Sequence, residues 1–285
     1  MAKLLSISDS VTGSIKNYVG TNKINKSGMM MVMLPTTSGT GAEAMPNAIV
    51  NDKDEGSKKG VVSPFLIPDL VILDPELTLS LSPKITAETG IDAFTHAIEC
   101  FICKKANAMS DLFALRSMQL ISRNLRQAVK DGSNKEARYN MALASFYGGV
   151  AIANSGTGGV HALAYPLGGK YGISHGLSNS ILLADVMEFN AEAVPEKFIK
   201  IAEVMGIKTT DLSEEQAIKS AIDKIKEIVD DVGITIKGFK VSKVVINDLS
   251  RLSISEQRLL QNNPRPILYE DARQIYRKAL LKYNL

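Results

Sequence analysis

Three histidines, two cysteines and only a slight excess of positive charge are spread over 285 residues. The formal net charge of +3 is too mild to hold a polyanion. No Lys/Arg cluster with interleaved aromatics occurs, so nucleic acid is not an expected partner. The longest apolar runs, such as Met29 to Leu34, have strand length and fall far below a bilayer span, which removes the membrane as an expected partner. The opening Met1-Ala-Lys-Leu-Leu-Ser has no signal-peptide core, so a cytoplasmic location is expected. Internal repeats and low-complexity segments are absent. What remains, 45% apolar and 22% charged residues, is the composition of a globular protein of two domains.

The scarce cysteines exclude further chemistry. Cys100 and Cys103 form a single C-x-x-C, and a zinc ribbon needs a second one. A redox pair would open a helix, where the thiol pKa falls, whereas these two lie at a helix's far end. Inert cysteines are expected, with Cys100, one turn beyond His96, as an alternative ligand.

The stretch Gly90-Ile-Asp-Ala-Phe-Thr-His-Ala-Ile-Glu-Cys-Phe-Ile-Cys103 reads as a helix, because Ile91, Phe94, Ile98 and Phe101 recur at helical spacing. Asp92 and His96 are four apart and share one face, so carboxylate and imidazole can grip one divalent ion. The remaining histidines, His161 and His175, lie close together beyond it. Pro166 is expected to end the helix carrying His161, since its ring cannot continue the backbone ladder. The glycine-rich loop Gly168 to Gly172 then returns the chain, and His175 opens the next helix. Asp92, His96, His161 and His175 would make one site of three imidazoles and a carboxylate, suited to Fe(II), Zn(II), Mn(II), Co(II) or Ni(II). A metal-free structural role for the histidines is the alternative.

Residues 1–80 read as α/β. Lys3 to Val19 is helix-like, and Met29 to Leu34 suits a buried strand. The strand runs into Pro35-Thr-Thr-Ser-Gly-Thr-Gly-Ala-Glu-Ala44, a hydroxyl- and glycine-rich turn that suits phosphate or ribose, or is simply well capped. From Ser82 onward the chain reads as nearly all helix. Ser82-Pro83 is an N-cap with proline in the first turn. Ser110 to Lys130 and Glu136 to Asn154 follow, the latter with Gly148-Gly149 allowing close helix contact. Ser213-Glu-Glu-Gln216 is a capping box whose helix ends near Gly233. Tyr269 to Tyr283 forms a last helix.

The segments Thr89 to Glu99, and Val160 to Gly168 with Ser174-His-Gly176, resemble the two signatures of the iron-containing (group III) alcohol dehydrogenases, and the likeness runs from about Ala2 to the C-terminus. The resemblance implies an α/β remnant of a Rossmann-like dinucleotide domain (1–81) followed by an all-α metal-binding domain (82–285), the dehydroquinate synthase-like plan. Asp92, His96, His161 and His175 fall on the family's four metal ligands, which implies Fe(II), with Zn(II) as the usual substitute. It also implies NAD or NADP, a small alcohol, diol or aldehyde as substrate, and a homo-oligomer. His161, His175 and Tyr165 would stand at the reacting centre, although Tyr165 replaces a further histidine that several members carry there. Thr36, Thr37, Thr40, Asn47 and Lys58 would face the dinucleotide, with Lys58 equally readable as part of a solvated hairpin.

A dinucleotide domain normally opens on a strand, a glycine-rich turn and a helix, and no such turn precedes residue 36. Met1-Ala2-Lys3 resembles the tail of the family's phosphate motif, so the chain is expected to start inside the first domain. Losing two charge-assisted bonds of roughly 1.5–3 kcal/mol each would weaken cofactor binding by about two to four orders of magnitude. The metal site is therefore expected to survive better than the dinucleotide site. Two rivals follow. One is a catalytically silent helical metal-binding module or oligomerisation remnant. The other is a lyase like the dehydroquinate synthases, disfavoured because only Lys170 supplies positive charge near His161 and His175.

Overall fold

A computed structural model describes residues 2–52, 57–235 and 241–281. The N-terminal part is α/β with short elements. Helix α1 (Ala2–Ser6) gives way to 3-10 turns at Ser8–Ser10 and Ile15–Tyr18, so the helix expected over Lys3 to Val19 is broken. The break has a local cause: Gly13 takes φ +74°, and Ser14 caps the second turn. The strands are β1 (Gly20–Thr21), β2 (Val32–Met33), β3 (Asn47–Asp52), β4 (Ser57–Val62) and β5 (Leu70–Val71). β3 and β4 form an antiparallel hairpin that places Lys58 opposite Asn51, and β1 joins β4 in parallel.

β2 and β5 make a separate parallel pair. The buried strand expected over Met29 to Leu34 shrinks to two paired residues, and Met29, Met30, Val32 and Leu34 are exposed. Only Met31 is buried, its N–H held by the Asp69 carboxylate at 2.7 Å. With one neighbouring strand and cover on one side, alternate side chains of the run face outward.

The helical part comprises α2 (Pro83–Ile102), α3 (Ala108–Lys130), α4 (Lys135–Asn154), α5 (Gly159–Tyr171), α6 (His175–Ala191), α7 (Pro195–Val204), α8 (Glu214–Asp231), α9 (Lys243–Ser253), α10 (Gln257–Leu260) and α11 (Tyr269–Leu281). Ser82 caps α2 through the Ile85 N–H, and Ser213 with Gln216 forms the reciprocal box that opens α8. Among the described residues, no helix is long and apolar enough to cross a membrane.

Helix α2 is the hub, since 15 of its 20 residues are buried. Phe94, Ile91 and Ile98 are fully enclosed in the main core, each contributing about 1.5–3 kcal/mol by leaving water. A helix buried almost all round can turn polar residues only into a site or a bonded partner. Asp92, His96 and Glu99 are such residues.

Pro166 does not end its helix. α5 runs five residues past it to Tyr171 and stops at Gly172, in the left-handed conformation at φ +68°. Proline removes one ladder bond from the helix interior, the one the Ala162 carbonyl would accept, and its ring is buried in the core; in the same turn the Leu163 carbonyl accepts from the Tyr276 hydroxyl at 2.5 Å. The bonds from Gly172 N–H to Gly168 O and from Ile173 N–H to Leu167 O close the end. Of the pair Gly148-Gly149, Gly148 makes the expected close helix contact, facing Ala93 and His96 of α2 and Ser117 of α3, while Gly149 serves a further one. A Cβ on Gly149 would lie 2.2 Å from the Gly41 carbonyl oxygen, so this glycine seats the Thr36–Gly41 turn on α4.

Arg138 ties the start of α2 to the turn before α4. Its guanidinium donates to Gly132 O at 2.9 Å, Thr86 Oγ1 at 2.7 Å and Leu81 O at 3.2 Å while 2% exposed. Arg138→Met leaves three acceptors unpaired and is expected to lower unfolding free energy by about 3 kcal/mol in urea titration; a loss under about 1 kcal/mol would refute the clamp.

Candidate metal centre

Three helices bring four side chains to one point. Helical spacing stacks Asp92 and His96 on α2, the first turn of α5 carries His161, and α6 opens with His175. The Nε2 atoms of His96, His161 and His175 lie 3.7, 3.7 and 3.4 Å from the same oxygen, Asp92 Oδ1. Asp92, His96 and His161 offer donor atoms all within 4.8 Å of one another. The His96 and His161 rings stack at 4.7 Å between centroids, and the His175 ring lies 5.3 Å from that of His161.

The outward nitrogens settle which atoms face inward. His161 Nδ1 is 2.5 Å from Glu99 Oε2, and His96 Nδ1 is 3.3 Å from the Gly39 carbonyl. Both partners are acceptors, so each Nδ1 carries the proton and donates it. At His96, where burial favours the neutral ring, the Nε2 lone pair then points at a carboxylate oxygen, acceptor against acceptor. The Asn179 amide lies among these groups: its Nδ2 donates to Asp92 Oδ1 at 2.7 Å and stands 3.4 Å from both His161 Nε2 and His175 Nε2. Its other end, Oδ1, is buried without a partner. This donor set fits a divalent cation: a tetrahedral ion with bonds of about 2.1 Å separates its ligands by about 3.4 Å.

Electrostatics agree. Burial by itself raises the Asp92 pKa, but His96, His161 and His175 outweigh it and hold the carboxyl well below the ordinary range. Burial dominates at His96 and lowers its pKa. At His161 burial also pulls downward, yet Glu99 and Asp92 overcome it and raise the value to about 9.

Side chains of Asp92, His96 and His161 are nearly enclosed, whereas His175 is 30% exposed, so the centre opens on the His175 side. There the Tyr165 ring lies 6.1 Å from that of His175. Burial pushes the Tyr165 phenol up, so it is a neutral hydroxyl near pH 7.

The expected cofactor residues divide. The Thr36–Gly41 turn reaches the centre directly, through the Gly39 carbonyl on His96. On it Thr36 and Thr40 are exposed and Thr37 is half-buried, and Thr40 Oγ1 also accepts from Ala42 N–H at 3.2 Å. Asn47 begins β3, away from the turn in sequence, and the Lys58 side chain lies outside the described residues. Cys100 and Cys103 are free and buried, with burial pushing both thiols up. Neither belongs to the cluster that gathers at Asp92.

Glu99, Gly39 and Asn179 are absent from the set expected from sequence. Glu99 is three residues past His96 and Asn179 four past His175, so helical spacing alone places each on its ligand's face. No local signal marks Gly39.

Sequence models of two regions match this chain. The C-terminal region of the Fe-containing alcohol dehydrogenase family covers residues 86–280, and the iron-containing alcohol dehydrogenase model covers residues 1–75. Long-chain-alcohol dehydrogenase 1 of Geobacillus thermodenitrificans (strain NG80-2) is 39% identical over 98% of this chain and 71% of its own length. The crystal structure of a 1,3-propanediol oxidoreductase superposes with TM-score 0.93 at 35% identity, over 97% of this chain and 73% of that one. An alcohol dehydrogenase from Oenococcus oeni superposes with TM-score 0.92 at 32% identity, with the same coverage of 97% and 73%.

Proposed function

The chain belongs to the iron-containing alcohol dehydrogenase family, and from that premise we propose metal-dependent hydride transfer between NAD(P)(H) and a small primary alcohol or diol. The observation that carries it is the convergence of three imidazole nitrogens on Asp92 Oδ1 at 3.4–3.7 Å. Asp92, His96, His161 and His175 would hold Fe(II), or Zn(II) in its place. When bound, the cation supplies Lewis-acid polarisation of the substrate oxygen, and the nicotinamide supplies or accepts the hydride.

The chain's own residues orient and enclose. Gly39 and Glu99 fix the rings of His96 and His161 by accepting hydrogen bonds from their Nδ1–H groups, and the Asn179 amide steadies Asp92. Substrate would enter on the open His175 side and meet the Tyr165 hydroxyl, which with its raised pKa donates a hydrogen bond rather than serving as a base. Thr36, Thr37 and Thr40 would meet the dinucleotide from the turn that touches His96, with Asn47 and Lys58 as outer contacts. The working division is a cofactor-binding part at 1–81 and a metal-binding part at 82–285, in a cytoplasmic homo-oligomer.

The test is NADH oxidation with small aldehydes, alongside an NAD(P)H titration, on protein loaded with Fe(II) or Zn(II). Saturable binding and metal-dependent turnover are expected. Metal binding without saturable NAD(P)H binding overturns the dehydrogenase reading in favour of a silent metal-binding module.

Metal loading should depend on pH with a definite sign. His161 keeps its second proton up to about pH 9 in the metal-free protein, above the ordinary imidazole value. Its contribution to metal-free stability is thus complete below about pH 6.5 and disappears as pH rises to about 9. A cation must displace that proton, so affinity should climb about tenfold per pH unit across the same window, with one proton released per ion. Calorimetry in buffers of different ionisation enthalpy measures the release, and no proton release at pH 7.5 would contradict it.

A further inference from the structure

We infer that Glu99 is a positioning residue whose two carboxylate oxygens lock the His161 ring to the start of its own helix. This rests on the metal-site reading above, and the geometry extends beyond it. Helix α5 has no N-cap side chain of its own: Gly158 occupies that position and makes no capping bond. Residues distant in sequence do the capping. Glu99 Oε1 accepts the Val160 N–H at 2.6 Å, and Asn263 Oδ1 accepts the Gly159 N–H at 3.0 Å. Glu99 Oε2 meanwhile accepts the His161 Nδ1–H at 2.5 Å. The one carboxylate therefore grips consecutive residues twice, once by backbone and once by ring.

Both bonds leave the same rigid, buried helix that bears Asp92 and His96. A rotation of the His161 ring or a slip of α5 along α2 must break one of them. Glu99 itself is 1% exposed, so water cannot replace either partner. The second cap has a different character. Asn263 exchanges amide bonds with Asn190, 3.0 Å one way and 2.7 Å the other, and touches no histidine in these bonds. It secures the helix end without setting the ring, and so separates fold from positioning.

Glutamine at position 99 keeps the shape but offers one acceptor oxygen in place of two. If that oxygen retains the Val160 cap, an NH2 group faces His161 Nδ1, which must then stop donating. The experiment compares Glu99→Gln, Asn263→Ala and wild type by proton NMR of metal-stripped protein and by Zn(II) titration. Wild type should show a far-downfield His161 Nδ1–H resonance. Glu99→Gln should lose it and bind Zn(II) about 10–100-fold more weakly. Asn263→Ala should lose stability yet keep the resonance and stay within about threefold of wild-type affinity.

The inference is overturned if Glu99→Gln retains both the resonance and the affinity, or if Asn263→Ala weakens Zn(II) as much as Glu99→Gln does. Should Glu99→Gln fail to fold, wild type decides alone, since absence of the downfield resonance refutes the bond. If wild type binds no Zn(II) while the resonance behaves as expected, the metal reading fails and the positioning of the ring stands.

Discussion

Asp92→Ala is expected to bind divalent metal about two to three and a half orders of magnitude more weakly than wild type, with turnover falling in step. Asp92 Oδ1 is the vertex on which three imidazoles and the Asn179 amide meet. It is also the one carboxylate in the cluster that gathers there. Its side chain is 5% exposed, so no solvent anion can take its place. Removing one partner of a buried charge pair costs about 3–5 kcal/mol, and 1.4 kcal/mol is tenfold in affinity. Asp92→Asn should lose nearly as much, because it keeps the shape and discards the charge. Metal content by elemental analysis and competition with a chromophoric chelator measure the effect. Stoichiometric metal in both variants would refute the site.

Gly176→Ala should fold and still lose function. A Cβ at this position would stand 2.2 Å from the Glu88 carbonyl oxygen and 2.6 Å from its carbon. That obstacle is the backbone of α2, the most enclosed helix, and it cannot give way as a flexible side chain would. The first turn of α6 must move instead, and His175 is its first residue. The Ser174 hydroxyl, bonded to Glu88 Oε2 at 2.6 Å, would be pushed off with it. Overpacking of this kind costs about 1–3 kcal/mol, and a ligand displaced by about 1 Å leaves bonding range, so metal affinity and kcat should each drop about 10–100-fold.

Gly172→Ala is the comparison. Its φ of +68° is strained for alanine, but nothing lies within 4 Å of the added carbon. It should cost about 1–2 kcal/mol with metal affinity unchanged. Equal effects of the two substitutions on metal affinity would show that destabilisation, and not displacement of His175, is responsible.

Several features were legible because their physics is local. Four-residue spacing on a helix stacks Asp92 on His96 whatever surrounds them. The caps at Ser82 and Ser213 follow from hydroxyls facing the free N–H groups of a first turn, and both form as expected. The scarcity of histidine, three in the whole chain, added His161 and His175 to the set, and the family signatures fall on the same four residues.

Pro166 and the Met29–Leu34 run were misread for a shared reason: local preference was overruled by what lies alongside. A helix whose Pro166 ring is buried in the core tolerates a missing ladder bond. An apolar run with one short partner strand, β5, stays half outside the core.

By itself, then, the chain's sequence determined the types of the candidate ligands, their order along the helices and the caps that open α2 and α8, since these follow from neighbours within a turn or two. Tertiary structure alone decided how the ligands are aimed. Glu99 is 62 residues from His161, Gly39 is 57 from His96, and Asn179 is 87 from Asp92. A hydrogen bond's direction depends on where its partner stands in space, and packing on α2 is what put those partners in place.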